Sequence, residues 1–364
     1  MKILHFVNED KLSWAMPWKS LLLSMTQQDP SIDHQIVCRA GGNVMPLLQE
    51  AGFKVIPYTP RAPWAPGLCR GFKNIIKSNK PSLLHTRLSS AAAIGGHWGK
   101  KLEVPVMATV DKFPKGKYYR NTDHLVATSS AVMKHMTQEG FDLDSISVIT
   151  NAIEVERYAL NESVRSTTRA KSNLNDSDIV ILGMGRFVAW KGFDLLLESV
   201  GKLKDPSRIC LWLVGGGELE SQLQELAKRK LAPRGIRYEF FPFAEDVRPF
   251  LWACDLFVQT SYHVPNSGGP ETFSLMLLEA MASAREVIAF DCGGAPDVIQ
   301  HGENGWLSPP GDVESLTKAL ELAISQHPND RLRHQAVVDM ANHDVASCAR
   351  KYLATYQRFA KTQR

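Results

Sequence analysis

Glu271 and Glu279 bracket the stretch "ETFSLMLLE", in which most of the intervening residues are apolar. A helix that is hydrophobic on every side belongs in an interior. A carboxylate there is costly unless something pairs with it. If Glu271 opens the helix that carries Glu279, the two lie ~12 Å apart along its axis, which suits the span from a sugar ring across a diphosphate to a ribose. Amides at Ser274, Leu275 and Met276 would then fall in the first turn, where unpaired N–H groups favour an anion. Upstream, "LGMGRFVAWKGFDLLLES" reads as a strand, a loop carrying Arg186 and Lys191, and a helix starting near Gly192 or Phe193. Two cations at the carboxyl end of a strand suit a pyrophosphate. A dinucleotide fingerprint does not fit, because Val188 stands where G-x-G-x-x-G needs its last glycine. Taken locally, the alternatives stay open: two solvated surface cations, a dipole-favoured Glu271 at a helix start, and Glu279 as a buried salt-bridge partner.

Elements that could hold these groups in place are spaced along the whole chain. Its 364 residues suggest two domains, and 44% hydrophobic with 22% charged residues describes a globular protein. A net charge of +4 is too small to argue for nucleic acid as a partner. The cysteines at 38, 69, 210, 254, 292 and 348 are scattered without zinc spacing, which reads as reduced thiols in a cytosolic protein. "MKILHFVNED" turns acidic after a short apolar run and reads as a first strand rather than a signal peptide. No apolar run approaches the roughly 18 residues of a membrane span.

Strands are expected at 3–7, 34–40, 54–59, 83–86, 105–110, 124–129 and 146–150, and again at 179–185, 209–217, 237–243, 255–261 and 287–294, with helical stretches between most of them. That alternation predicts βαβ units and parallel sheets. Residues 159–178 are polar and Ser/Asn-rich, the best linker candidate. The expected organisation is a first domain over 1–158, a linker over 159–178, a second domain over 179–345, and a basic helix over 346–364 crossing back onto the first. The fold class is α/β, two doubly wound parallel-sheet domains facing a cleft. Ligands of such sheets sit beyond the carboxyl ends of the strands.

Read in order, "VITNAIEVERY", "GRFVAWKGFDLLLES", "LWLVGGGELESQL", "ACDLFVQTS", "PETFSLMLLEAMA" and "GGAPDVIQHGENGWLSPPGDVESL" resemble the retaining glycosyltransferases of family GT4, which have the GT-B fold. The resemblance covers nearly all of the second half and, more loosely, the first. It implies that Arg186 and Lys191 hold the donor diphosphate and stabilise it as the leaving group. It puts Glu279 at the ribose hydroxyls, Glu271 at the donor sugar, the backbone N–H groups of Leu275 and Met276 at the distal phosphate, Ser274 and Gly269 among the donor-binding residues, and Phe243 where the nucleobase lies. Transfer on the same face of the sugar, without a metal ion or other cofactor and without a protein nucleophile, is likewise implied. "DLD" at 142–144 is expected in a solvated turn.

The sequence also departs from the family. Asp111 in "TVDKF" occupies a place where many relatives have histidine. It is a donor-sugar candidate, although a charged acid would repel a nearby phosphate. The Gly-rich turn after the first strand is replaced by "NEDKLSWAMPWKS", which puts a phosphate contact there in doubt. Ala284 and Glu286 replace a Gly and a Pro.

"DKFPKGKYYRNTDH" interleaves Lys112, Lys115, Lys117 and Arg120 with Phe113, Tyr118 and Tyr119. It suits either an anionic membrane surface or a mobile, solvated loop. The expectation is a hexosyltransferase using a UDP-linked nucleotide sugar as donor and a glycan or glycolipid acceptor of lipopolysaccharide type. Such an enzyme would be cytoplasmic and peripheral at the inner membrane face. Alternatives are a non-catalytic nucleotide-sugar binder, a UDP-sugar epimerase of the same fold and, less supported, a nicotinamide oxidoreductase.

Overall fold

The computed structural model describes every residue except Asn266, residues 268–270 and residues 362–364. It comprises two compact units, residues 1–153 with 343–364, and residues 154–342.

The first unit is built on β1 (Lys2–Val7), β2 (Asp33–Cys38), β3 (Lys54–Pro57), β4 (Leu83–Arg87), β5 (Val106–Val110), β6 (His124–Ala127) and β7 (Ile146–Val148). The sheet order is β3-β2-β1-β4-β5-β6-β7, and all its pairings are parallel. Helices α1 (Leu12–Gln28), α2 (Val44–Glu50), α3 (Arg70–Asn79), α4 (Ser89–Lys101) and α5 (Ser130–Gln138) follow β1, β2, β3, β4 and β6. Strands covered on both faces must be apolar almost continuously, and Val106–Val110 is buried at every position. Trp18 of α1 lies in the core of this unit.

The second unit carries β8 (Ile179–Arg186), β9 (Ile209–Gly216), β10 (Arg237–Phe241), β11 (Leu256–Gln259), β12 (Glu286–Phe290) and β13 (Trp306–Ser308) in the order β10-β9-β8-β11-β12-β13. The pairings here are parallel as well. The helices are α6 (Glu162–Lys171), α7 (Phe193–Val200), α8 (Glu220–Lys230), α9 (Arg248–Ala253), α10 (Leu275–Ala282), α11 (Val313–Gln326) and α12 (Asp330–Asp339). Its core joins Ile181, Leu211, Leu213 and Val258 of the sheet to Leu196, Leu316 and Leu320 of the helices. Both sheets reverse their strand order, between β1 and β4 and between β8 and β11. At such a switch the connecting helices leave on opposite faces and open a crevice at the strand ends.

Two features differ from the reading of the sequence. The polar stretch at 159–178 is not an extended linker, because it contains α6 and belongs to the second unit. Arg165 and Arg169 of that helix reach the buried Asp255 carboxylate at 2.6 and 2.9 Å and cap the carbonyls of Trp252, Ala253 and Cys254. A helix can thus be anchored by charge with little apolar surface, which a composition scan does not detect. Strand β13 is the second difference, since no strand is expected over Trp306–Ser308 from the sequence. The terminal helix α13 (Val345–Lys361) packs in the first unit, with Cys348, Tyr352 and Tyr356 in the same core as Trp18 and Leu22.

Candidate active site

Lys191 and Glu271 come together at the switch point of the second sheet. After β8 the chain makes a tight turn through Ala189–Lys191 and leaves it at Gly192 with φ +63°. A Cβ there would lie 2.3 Å from the carbonyl oxygen of Thr260, so only glycine permits the approach. Thr260 Oγ1 donates to the Lys191 carbonyl (2.8 Å), and the Tyr262 N–H donates to the Trp190 carbonyl (2.9 Å). The Lys191 turn is thereby fastened to the segment after β11, which leads to Ser261 and Glu271. Lys191 Nζ pairs with Glu271 Oε2, and Ser261 Oγ donates to the same oxygen at 3.3 Å. With the two side chains only 14% and 23% accessible, Lys191 is not a solvated surface cation. Arg186, at the end of β8, does remain exposed. Its guanidinium carbon lies 5.9 Å from the centroid of Trp190, and Lys191 Nζ lies 4.8 Å from the same ring. Trp190, which the sequence did not single out, therefore gathers both cations on one indole.

Glu271 does not cap the helix. Ser274 is the N-cap of α10, its hydroxyl accepting from the Leu277 N–H at 3.4 Å. The ~12 Å separation derived from a continuous helix therefore does not apply, since Glu271 lies three residues before that cap. A serine outcompetes a glutamate there because its short side chain reaches the third helical N–H directly. The helix geometry leaves the N–H groups of Leu275 and Met276 without partners inside the helix, and both residues are half-buried. Glu271 is held instead by its backbone. Gly293, with φ +59°, brings the chain after β12 so close that a Cβ would sit 1.8 Å from the Glu271 carbonyl oxygen.

Glu279 projects from an otherwise apolar α10. Its Oε1 accepts from the Tyr158 hydroxyl at 2.8 Å, while Oε2 is buried and has no hydrogen-bond partner among the described residues. Burial raises its pKa, opposed by the Tyr158 hydrogen bond and by Arg157. Of the alternatives the sequence leaves open, a salt bridge to Glu279 is not formed among the described residues: its partner is a tyrosine 121 residues away, with one oxygen left over. An unsatisfied buried oxygen of this kind costs about 1–3 kcal/mol. Phe243 is 78% exposed just beyond β10, and Gly269 lies outside the described residues.

In the first unit, Asp111 follows β5 and is gripped by Arg87 at the end of β4. Arg87 Nε donates to Oδ2 at 3.0 Å and Nη2 donates to Oδ1 at 2.7 Å. Burial works against the guanidinium charge, but the Asp111 carboxylate outweighs it and holds Arg87 above its ordinary pKa. This bidentate partner supplies a positive charge that offsets the acid standing in place of histidine. It was legible only in the register, which sets Arg87 beside Thr109 two residues before Asp111. A cavity of about 250 Å³ opens here, lined by Asn8, Glu9, Ser89, Ser90, Asp111 and Tyr119.

The 111–124 segment exposes Lys112, Lys115, Lys117 and Arg120 but is not slack. The Gly116 N–H donates to Glu139 Oε2 at 2.5 Å, and His135 Nε2 lies 2.7 Å from the Pro114 carbonyl oxygen. "DLD" sits in a turn before β7, with Asp142 and Asp144 exposed. Among the described residues, no group of three or more His, Cys, Asp or Glu is arranged to hold a metal ion, and no helix is long and apolar enough to cross a membrane.

Comparison with known proteins places this geometry in a family. Residues 164–337 match the family described as "Glycosyl transferases group 1" and residues 23–157 match "Glycosyltransferase Family 4". The chain is 29% identical over 255 residues to the lipopolysaccharide core biosynthesis glycosyltransferase LpsE of Rhizobium meliloti, covering 70% of this chain and 69% of that protein. It is 29% identical over 250 residues to a D-inositol 3-phosphate glycosyltransferase of Nocardia farcinica, covering 64% of this chain and 52% of that one. Its fold is similar to that of Anabaena Alr3699/HepE in complex with UDP, with TM-score 0.82 at 21% identity over 98% of this chain and 100% of that one. The lipopolysaccharide outer core galactosyltransferase WaaB superposes with TM-score 0.79 at 16% identity, over 98% and 100% of the two chains. With both halves matched and two parallel-sheet domains of this topology, the chain belongs to the GT4 glycosyltransferases of the GT-B fold.

Proposed function

We propose that this glycosyltransferase moves a hexose or N-acetylhexosamine from a UDP-linked donor onto a glycan hydroxyl, with retention and without a metal ion. The observation that carries the reading is the buried Oε2 of Glu279, which has no hydrogen-bond partner among the described residues. Charge-assisted hydrogen bonds from ribose hydroxyls would satisfy it, since the Tyr158 hydroxyl engages only Oε1. The Leu275 and Met276 N–H groups take the distal phosphate, and the Ser274 cap holds that first turn in place. Arg186 and Lys191 neutralise the diphosphate as it departs. Breaking the glycosyl–phosphate bond leaves a cationic sugar and an anionic nucleotide, so cations held at the phosphate would lower the barrier. They meet the same charge requirement that a metal ion would. Glu271 and Asp111 are assigned to donor-sugar hydroxyls, Gly269, two residues before Glu271 in the sequence, is assigned to the donor as well, and Phe243 covers the nucleobase.

The incoming hydroxyl loses its proton to the leaving phosphate on the same face, so no side chain is assigned as nucleophile. The similarity to LpsE and WaaB supports an acceptor of lipopolysaccharide-core or lipid-linked type. Such an acceptor places the enzyme at the inner face of the cytoplasmic membrane. UDP release, measured across a panel of nucleotide sugars with and without a chelator, tests the reading. Release from one UDP-sugar, unaffected by chelation, is expected. Tight UDP binding with no turnover of any donor in the presence of a lipopolysaccharide-core acceptor would instead indicate a non-catalytic binder.

A further inference from the structure

The first unit presents an apolar, strongly basic surface that the transfer chemistry does not use. Trp64 is 81% exposed and Leu68 is 69% exposed, both in the loop between β3 and α3. Their exposure is built into the loop rather than the result of fraying. Pro60, Pro63 and Pro66 stiffen it, the Ala65 and Leu68 N–H groups close turns on Ala62 and Ala65, and Trp98 Nε1 of α4 donates to the Pro66 carbonyl at 3.0 Å. Around that anchor lie Lys73 and Lys101, with Nζ atoms 5.3 and 5.4 Å from the centroid of the Trp98 ring. Arg61, Arg70, Lys77 and Lys100 are exposed on the same loop and helices.

From Ala51 to Leu102 the chain contains no Asp or Glu at all, so these cations have no local acid. Helix stability does not account for the pattern. Arg70 sits in the first turn of α3, where the helix dipole disfavours a positive charge. An exposed indole and leucine on the same loop and helices as cations that make no ion pair among the described residues match an anionic lipid surface, with apolar groups entering the interface and cations meeting headgroups.

We infer that the α3–α4 face of the first unit docks on anionic lipid bilayers, with Trp64 and Leu68 inserted and Arg61, Arg70, Lys73 and Lys101 on the headgroups. This gives the lipid-linked acceptor reading a surface, but it does not depend on the transfer chemistry. Loss of lipid binding and loss of UDP release are therefore separately observable.

The test is co-sedimentation of the full chain with vesicles of phosphatidylcholine alone or mixed with phosphatidylglycerol. Binding is expected only to the mixed vesicles, and high salt should weaken it. Trp64→Ser should lower the partition coefficient about tenfold, and Arg61→Gln or Arg70→Gln about fivefold each. The thermal melts by circular dichroism and the UDP release of these variants should match the parent. Equal binding to both vesicle types would overturn the inference. So would binding that is lost with Lys115→Glu and Lys117→Glu but untouched by Trp64→Ser. A third overturning result is a stable dimer that Trp64→Ser converts to monomer, with no vesicle binding by either form.

Discussion

Replacing Glu279 by glutamine separates ligand binding from folding, because the two respond in opposite directions. In the free protein Oε2 is buried without a partner among the described residues, and burial raises the carboxyl pKa above its ordinary value of 4.5. A carboxyl raised on folding contributes stability at low pH, and that contribution is lost as pH rises through the raised value. Glutamine removes the desolvated charge while keeping an oxygen for the Tyr158 hydroxyl. The stability of the free protein at neutral pH should therefore be unchanged or higher by up to about 1 kcal/mol. UDP binding should move the other way. Hydrogen bonds to a charged acceptor exceed neutral ones by about 1–1.5 kcal/mol, so the Kd for UDP should rise about tenfold.

Calorimetric titration with UDP gives the affinity, and thermal unfolding gives the stability. Ribose hydroxyls favour the ionised carboxylate, so the parent should gain affinity as pH rises through the Glu279 titration and release a proton on binding. Because UDP itself titrates, the quantity to compare is the difference between parent and Glu279→Gln across pH, and that difference should shrink at acid pH. Equal UDP affinity in the two proteins would refute the reasoning. A stability loss as large as the affinity loss would do so too, by showing Glu279 to be a structural group.

Three further outcomes are expected. Lys191→Ala should cut kcat for UDP release about 10²–10³-fold while shifting the melting temperature little, and retained turnover would remove Lys191 from its assigned role. Gly293→Ala forces a side chain into the left-handed region and onto the Glu271 carbonyl. It should cost at least about 1–2 kcal/mol by urea denaturation and lower activity through displaced Glu271, so a neutral result would show that the segment relaxes freely. His5, His34 and His85 are buried together in the first unit, with His5 Nε2 2.9 Å from His34 Nδ1 and His85 Nδ1 2.7 Å from the Tyr356 hydroxyl. Burial lowers all three, His34 to about 4 and His85 to about 3. Their contribution to stability is therefore present above the unfolded value of 6.5 and declines as pH falls below it, by up to about 1.4 kcal/mol per pH unit for each histidine. Urea midpoints at pH 7 and pH 5 read this directly, and a flat profile would mean that the three protonate without cost.

Much of the architecture was legible along the chain because parallel strands covered on both faces must be apolar nearly throughout. "IVILGMG" and "ICLWLVGG" announce themselves in this way, and the glycines and polar turns between such runs mark where each strand ends. The chemical types needed at the site were also legible, because a charge in an apolar helix or a pair of cations after a strand has few inexpensive explanations.

Partnership was not legible. Whether Glu279 would meet an arginine, a tyrosine or nothing depended on Tyr158 arriving from the start of the second unit. Whether Asp111 would stand as a bare negative charge depended on Arg87 at the end of the neighbouring strand. Glu271 lost the helix cap to Ser274 through a difference in side-chain reach, and its position came from the close approach of Gly293. Sequence determines which groups must leave water and roughly where the strands that carry them end. Only the packed structure decides which of those groups satisfy one another, because hydrogen bonds and ion pairs act over a few ångströms between residues that are tens or hundreds of positions apart.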